Sequence, residues 1–347
     1  MTHTSSTANM GFASVPAVQQ YLDMAQSKGV DCAQALLDAD ITPDVMADSN
    51  KRVPGAALQK LLAVIIPAAG DTCFGLHTSA FIKPASYGVL GYIAMNCSTL
   101  GEALAKTPVY EKIVGDMGYT TTKGDVDSVW VRWHCNFDHP LVRRHVIENV
   151  LSSWTRYVRW ITGEFEKSPR LVHLEHCAPE DPELIAEYEA VFGCPVLFGQ
   201  PYSALLVDHE YLDHPIRQAD GQLLKTLEDH ATQILYEIDK HQPLKYRVSN
   251  LLRLMLKREL PRKEVIAEKL GMTERTLQRK LRDEGTGYQE VLDELRLELA
   301  QNYLKNSRLS IDEISVLLGF AEPRSFHRSF KKWVGATPGA YRSESLL

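Results

Sequence analysis

The feature that most constrains the fold is a helix-turn-helix pattern written twice near the end of the chain. The first run reads Ile266-Ala267-x-x-Leu270-Gly271-Met272, then Leu277-Gln278-Arg279-x-Leu281. The second reads Ile314-Ser315-x-x-Leu318-Gly319-Phe320, then Phe326-His327-Arg328-x-Phe330, and the two superimpose with one inserted residue. In each, an apolar residue five before the glycine and another directly before it point to a core, and the small residue four before it lets two helices cross closely. Glycine supplies the left-handed backbone of a tight helix-to-helix turn. Past the turn the apolar positions move to a new helical face, which leaves Arg275, Gln278, Arg279 and Arg282 outward in the first run. The second run likewise turns out Arg324, His327, Arg328 and Lys331. Long donors on the exposed face of a second helix are what reading base edges in the major groove of double-stranded DNA requires.

One such run could be a buried helix pair that turns at glycine; two in register argue against that reading. Between them, Tyr288, Leu292, Leu295, Leu299 and Tyr303 recur at helical spacing, so a single helix is expected from Tyr288 to Asn306. Nineteen helical residues span roughly 28 Å at ~1.5 Å each, comparable with the ~34 Å of one DNA turn.

The charge is divided to match. The 347-residue chain has a formal net charge of −6, which alone argues against a nucleic-acid binder. From Pro243 onward, however, 20 lysines and arginines stand against 14 acidic residues, a net of +6, so residues 1–242 carry −12. A basic tail on an acidic body keeps the phosphate-seeking surface local.

The span from Pro243 to Leu347 resembles the DNA-binding domain of the AraC/XylS family of bacterial transcription regulators, from the first run through Gly319-Phe320 to the closing Thr337-Pro338-Gly339-x-Tyr341-Arg342. The resemblance implies an all-α domain over 243–347, with helix-turn-helix units at about 262–283 and 310–333 joined by a linker helix at about 288–306. These units enter successive major grooves on one face of the DNA. Pro323, near the start of the second reading helix, departs from the polar residues typical of that place. The resemblance also implies activation through promoter-proximal contact with RNA polymerase, although repression by blocking a promoter uses the same DNA chemistry.

Further segments extend the likeness toward the N-terminus: Phe74-Gly75-Leu76-His77, Tyr87-Gly88-x-Leu90-Gly91-Tyr92, Thr99-Leu100-Gly101-Glu102-Ala103-Leu104, Cys194-Pro195-Val196-x-Phe198-Gly199 and Tyr211-Leu212-Asp213-His214-Pro215. They resemble the effector domain of one AraC-type subgroup, the arabinose-binding-like domain, whose relatives are not limited to sugars. A small-molecule effector and a homodimer are the partners this implies, both through residues 15–242.

Read from its residues, that region is α+β. The stretch from Val15 to about Gly70 is helical, broken near Pro43, Pro54 and Pro67. Tyr119 to Thr122 and Val129 to Cys135 flank Lys123-Gly124-Asp125 as a hairpin, and Leu171 to His176 and Ser203 to Val207 read as further strands. Val142, Val146, Val150, Trp154, Val158 and Ile161 mark one long amphipathic helix from Leu141 to Thr162, either core or dimer surface. A second helix, at about Ala219 to Asp239, closes the domain, and His241-Gln242-Pro243 is the expected boundary. The first 14 residues read as a disordered tail.

No constellation points to catalysis, and neither a cofactor nor a metal is expected. In His209-Glu210-x-x-Asp213-His214 the histidines are five apart, where a zinc-binding helix needs four. His173 and His176 are three apart on a strand and face opposite ways, and His134 and Cys135 diverge as neighbours. There is no nucleophile elbow, phosphate loop or dinucleotide fingerprint. With no signal peptide, no paired cysteines and no apolar run approaching the ~20 residues of a membrane span, a cytoplasmic protein is expected. Tyr87, Tyr92, Trp130 and Trp133 are the aromatic candidates to line an effector pocket, against core packing for each; Trp130 and Trp133 should face opposite sides of one strand. Two rival readings stay open: a regulator whose N-terminal domain only dimerises or binds a protein, and an enzyme fused to a DNA-binding tail.

Overall fold

The computed structural model describes residues 10–124, 127–240, 242–256, 262–306, 309–320 and 322–345. Asp125 of the expected hairpin, His241 of the expected boundary and most of the expected tail lie outside them. The described chain forms two compact units, one built mainly from residues up to Gln233 and the other from Ile234 onward.

In the first unit, strand β1 (Phe12–Ser14) runs into helix α1 (Val15–Ser27), whose start is fixed by the Ser14 hydroxyl accepting from the Ala17 amide. Strand β1 pairs antiparallel with β2 (Arg52–Pro54), and Ala13 is fully buried. The disordered tail expected through residue 14 therefore has its last three residues in a strand, ordered by a partner some forty residues downstream. Helices α2 (Ala33–Asp38), α3 (Pro43–Met46) and α4 (Gly55–Ala68) follow. Pro43 opens α3 from its first turn, whereas Pro67 does not stop α4, which runs one residue past it. Then come α5 (Phe74–Thr78), α6 (Val89–Asn96) and α7 (Leu100–Val114).

Five strands form the sheet, in the order β3 (Gly118–Gly124), β4 (Ser128–Cys135), β7 (Ala204–Asp208), β5 (Leu171–His173) and β6 (Val196–Leu197). Strand β7 is antiparallel to both neighbours, with Leu205 opposite Val131 on β4 and Val172 on β5, and β6 is parallel to β5. The expected strand over Leu171 to His176 ends at His173, beyond which the chain turns and His176 comes 3.1 Å from the carboxylate of Glu148. Helices α9 (Pro182–Phe192), α10 (His209–Leu212) and α11 (Gly221–Asp239) complete the run, the last turns of α11 belonging to the second unit.

Helix α8 (Pro140–Thr162) is the axis of the first unit. It begins with Pro140 at its first position and ends at Gly163 in the left-handed region, φ 69°. Of its residues only Pro140, Arg156 and Trp160 are exposed, so the face expected to meet solvent is largely covered. Its polar residues are buried with partners: Asn149 Nδ2 donates to Tyr21 Oη at 2.9 Å, and Ser153 Oγ to Asn149 Oδ1 at 3.0 Å. Glu148, fully buried, lies 2.8 Å from Arg144 Nε and 3.0 Å from His145 Nδ1, and accepts from the Tyr188 hydroxyl. Burial pushes its carboxyl up, but the imidazoles of His145 and His176 outweigh that and hold it well below the usual carboxylate range. Trp154, half-buried, packs against the core. Helix α5 crosses α8 at Gly75, where a Cβ would lie 2.1 Å from the His145 carbonyl oxygen.

The second unit is all helical: α12 (Leu244–Met255), α13 (Lys263–Lys269), α14 (Glu274–Asp283), α15 (Tyr288–Asn306), α16 (Ile311–Leu317), α17 (Pro323–Val334) and α18 (Pro338–Ser345). It has two cores threaded on one helix. Tyr288, Val291, Leu292 and Leu295 of α15 pack with α12, α13 and α14, while Ala300 and Leu304 pack with α16 and α17. Leu299 touches both cores.

Candidate functional site

Each helix-turn-helix unit is closed by the same backbone device. Gly271, at φ 66°, donates to Glu268 O at 2.9 Å, and Met272 donates to Ala267 O at 2.9 Å. Gly319, at φ 68°, donates to Val316 O at 2.9 Å, and Phe320 to Ser315 O at 3.1 Å. This paired reach-back satisfies carbonyls that the helix end leaves open and aims the chain into the next helix. Helix α14 starts on the Thr273 hydroxyl, which accepts from the Thr276 amide. Helix α16 starts on a reciprocal Ser310–Glu313 box. The inserted residue of the second run lies between Phe320 and Glu322, outside the described residues, and Pro323 occupies the first position of α17, where a missing amide costs nothing.

Leu277 and Leu281 are fully buried, and so are Phe326 and Phe330 in the second unit. That fixes the rotation of α14 and α17 and turns the candidate readers to solvent: Arg275, Gln278, Arg279 and Arg282 on α14, and Arg324, His327, Arg328 and Lys331 on α17, are all exposed. Gln278 Nε2 donates to Glu274 Oε1 at 2.9 Å, and Lys263 Nζ sits 3.1 Å from the same oxygen. Arg275, Arg279 and Arg282 have no side-chain partner among the described residues. Their donors are open to an anionic or acceptor-rich surface.

Arg296, on the linker helix α15, carries a role that the apolar stripe did not reveal. It is 8 % exposed, and donates from Nε to Leu318 O and from Nη2 to Gly319 O, each at 2.8 Å. Its guanidinium lies 4.1 Å from the centre of the Phe320 ring, and burial lowers its pKa. The linker helix thereby grips the turn of the second helix-turn-helix unit. The available signal was an arginine beside Leu292, Leu295 and Leu299 in a stripe otherwise apolar.

The first unit holds a cavity of about 80 Å³ between α1, α7, α8 and the inner sheet face. Tyr87 and Trp133 line it, whereas Tyr92 and Trp130 do not. Trp133 and Trp130 fall on opposite faces of β4, as the spacing requires: Trp130 tilts against His173 at 4.4 Å and meets Tyr202 edge-on. Tyr92 is 43 % exposed. Sequence reasoning missed Gln20 and Glu111, which also line the cavity. The Gln20 Oε1 and Tyr87 Oη atoms are buried without a hydrogen-bond partner. Glu111 accepts from the Thr120 amide with both carboxylate oxygens at 3.0 Å, and burial pushes its carboxyl up to about 7 despite those bonds.

Among the described residues no group of three or more His, Cys, Asp or Glu side chains is placed to hold a metal ion, and no helix is long and apolar enough to cross a membrane.

Residues 29–216 match the family described as the arabinose-binding domain of AraC transcription regulator, N-terminal, and residues 266–344 match a helix-turn-helix domain family. The ornithine utilization regulator of Pseudomonas aeruginosa is 29 % identical over 327 residues, covering 92 % of this chain and 93 % of the relative. The HTH-type transcriptional regulator VirS of Mycobacterium tuberculosis is 27 % identical over 331 residues, covering 93 % and 94 %. The crystal structure of the transcriptional regulator CdpR from Pseudomonas aeruginosa aligns with a TM-score of 0.44 at 24 % identity, over 90 % of this chain and 96 % of that one. The chain belongs to the AraC family of DNA-binding transcription regulators, a family of regulators and not of enzymes, with an arabinose-binding-type N-terminal domain ahead of its helix-turn-helix domain.

Proposed function

We propose that this regulator is switched by a small molecule bound in its N-terminal domain, residues 15–242, and that residues 243–347 read the operator. It acts as a cytoplasmic homodimer and activates transcription through contact with RNA polymerase. Arg275, Gln278 and Arg279 contact base edges in one major groove; Arg324, His327 and Arg328 are their counterparts in the next; Arg282 and Lys331 hold phosphates at the far ends of the two reading helices. The observation that carries the DNA part is the row of exposed, unpartnered arginines on a helix whose opposite face is locked by Leu277 and Leu281. The effector part is supported by the cavity and its unpartnered oxygens, since a buried polar group left unpaired costs about 1–3 kcal/mol and a ligand can repay it.

The test begins with selecting a binding site for the full chain from random duplexes. Arg279→Ala is then expected to cost about 1–3 kcal/mol on the selected site, with a far smaller change on random DNA. Equal losses on both would make Arg279 a phosphate contact and remove it from the base readers.

A further inference from the structure

The cavity of the first unit also indicates what kind of molecule fills it. Of its eighteen lining residues, Glu111 is the one that carries a formal charge, and no cation shares the lining. Both Glu111 oxygens accept from the Thr120 amide, and Thr120 Oγ1 donates to one of them. A carboxylate has about four lone-pair sites, so acceptor capacity is left over. Gln20, 8 % exposed, spends its amide nitrogen on Ala17 O at 3.1 Å and keeps Oε1 free, and the Tyr87 hydroxyl is free as well. Three groups able to accept thus line one cavity; Thr107, Asn149 and Ser153 add polar side chains whose donors are already spent within the protein, and the rest of the wall is mostly aromatic and aliphatic, among it Tyr21, Trp133, Trp154 and Val150.

We propose that the cavity binds a small, largely apolar molecule bearing a protonated amine, with the Glu111 carboxylate as counter-ion and the Gln20 and Tyr87 oxygens as further acceptors. This rests on the reading of the domain as an effector sensor and names the effector's chemical class. An ammonium group brings three donors to three acceptors, where a hydroxyl brings one. Its charge offsets the burial of Glu111, whose carboxyl is pushed up to about 7 because desolvation opposes its ionisation. The aromatic walls attract a cation through their ring faces and shelter an alkyl chain. An anionic ligand would set like charges together with no cation in the lining to relieve them. At roughly 10–15 Å³ per water-sized position, a cavity of about 80 Å³ takes on the order of five to eight non-hydrogen atoms.

Saturation-transfer NMR on the full chain at neutral pH, with three matched series of probes, tests this: n-alkylamines, n-alkanols and n-alkanoates of two to eight carbons. The expected result is binding that peaks at four to six carbons and favours the amine at least tenfold over the alcohol and carboxylate of equal length. Glu111→Gln keeps an acceptor for Thr120; it should lose at least tenfold in amine affinity and erase the preference over the alcohol. Alcohols or carboxylates that bind as well as amines to the wild-type chain would overturn the amine assignment and leave the sensor reading standing. Retention of the amine preference by a folded Glu111→Gln would do the same. Silence of all three series at 50 mM would overturn both.

Discussion

Replacing Arg296 measures how firmly the linker helix holds the second helix-turn-helix unit. The guanidinium makes two charge-assisted hydrogen bonds at 2.8 Å to Leu318 O and Gly319 O and stacks on Phe320. Such bonds contribute about 1.5–3 kcal/mol each, and a partly desolvated cation over a ring adds about 1–2 kcal/mol. Against this stands the cost of burying the charge, on the order of several kcal/mol, whose mark is the lowered pKa. Arg296→Ala removes gain and cost together but strands two carbonyls at a helix end, so the net loss expected is about 2–4 kcal/mol. Arg296→Lys keeps the charge with a single point donor and should lose about half of that. In hydrogen exchange on the full chain, the α16 and α17 amides of Arg296→Ala should lose protection by roughly 30- to 900-fold at ~1.36 kcal/mol per decade. The α13 and α14 amides, which share the other core, should change less. Wild-type protection in α16 and α17 would refute the grip, and equal loss in all four helices would show that α15 does not separate the two cores.

Three further changes probe other links. Ser315 is fully buried with an unpartnered hydroxyl at the position Ala267 holds in the first helix-turn-helix; Ser315→Ala should therefore leave the unfolding free energy unchanged or raise it, by about 1–3 kcal/mol at most, and a clear loss in calorimetry would contradict this. Gly75→Ala puts a Cβ 2.1 Å from the His145 carbonyl oxygen, so α5 must move off α8 at a cost of about 3 kcal/mol or more; a thermal midpoint equal to wild type would show that the crossing is looser than drawn. The Glu111 carboxyl is raised to about 7 by burial in the folded state against about 4.3 unfolded. Its stabilising contribution is therefore complete below pH ~4.3 and lost as pH rises through ~7, with a slope of at most about 1.4 kcal/mol per pH unit. Urea denaturation between pH 5 and 8 should show this slope in the wild type and a shallower one in Glu111→Gln; parallel profiles would count against the burial of that charge.

How far the sequence carries depends on the distance over which each determinant acts. The reading helices were legible because their determinants are local: a glycine, two apolar positions and an amphipathic period, which together fixed both the turn and the outward face of Arg275, Gln278 and Arg279. Arg296 escaped because its partners, Leu318 and Gly319, lie 22 and 23 residues away, and no period marks an arginine that caps another helix. The first unit is harder for the same reason. The length of α8 was readable from its valines, but its surroundings were not, since Asn149 finds Tyr21 across 128 residues of chain and Glu148 finds Tyr188 across 40. Residues that look solvent-facing on one helix become its core once several elements close around it. The cavity shows the same limit. Aromatic content pointed to Tyr87 and Trp133 but equally to Tyr92 and Trp130, because a ring suits a core, a surface or a pocket alike. Gln20 and Glu111, by contrast, resemble ordinary helix-surface residues until α1, α7, α8 and β4 enclose them. Their distinguishing property is acceptor capacity left unspent after burial, which only the assembled fold can reveal. In the proposed effector site that unspent capacity is the mark that sets the cavity apart from a packing defect, because a defect lined by apolar atoms stays empty at little polar cost.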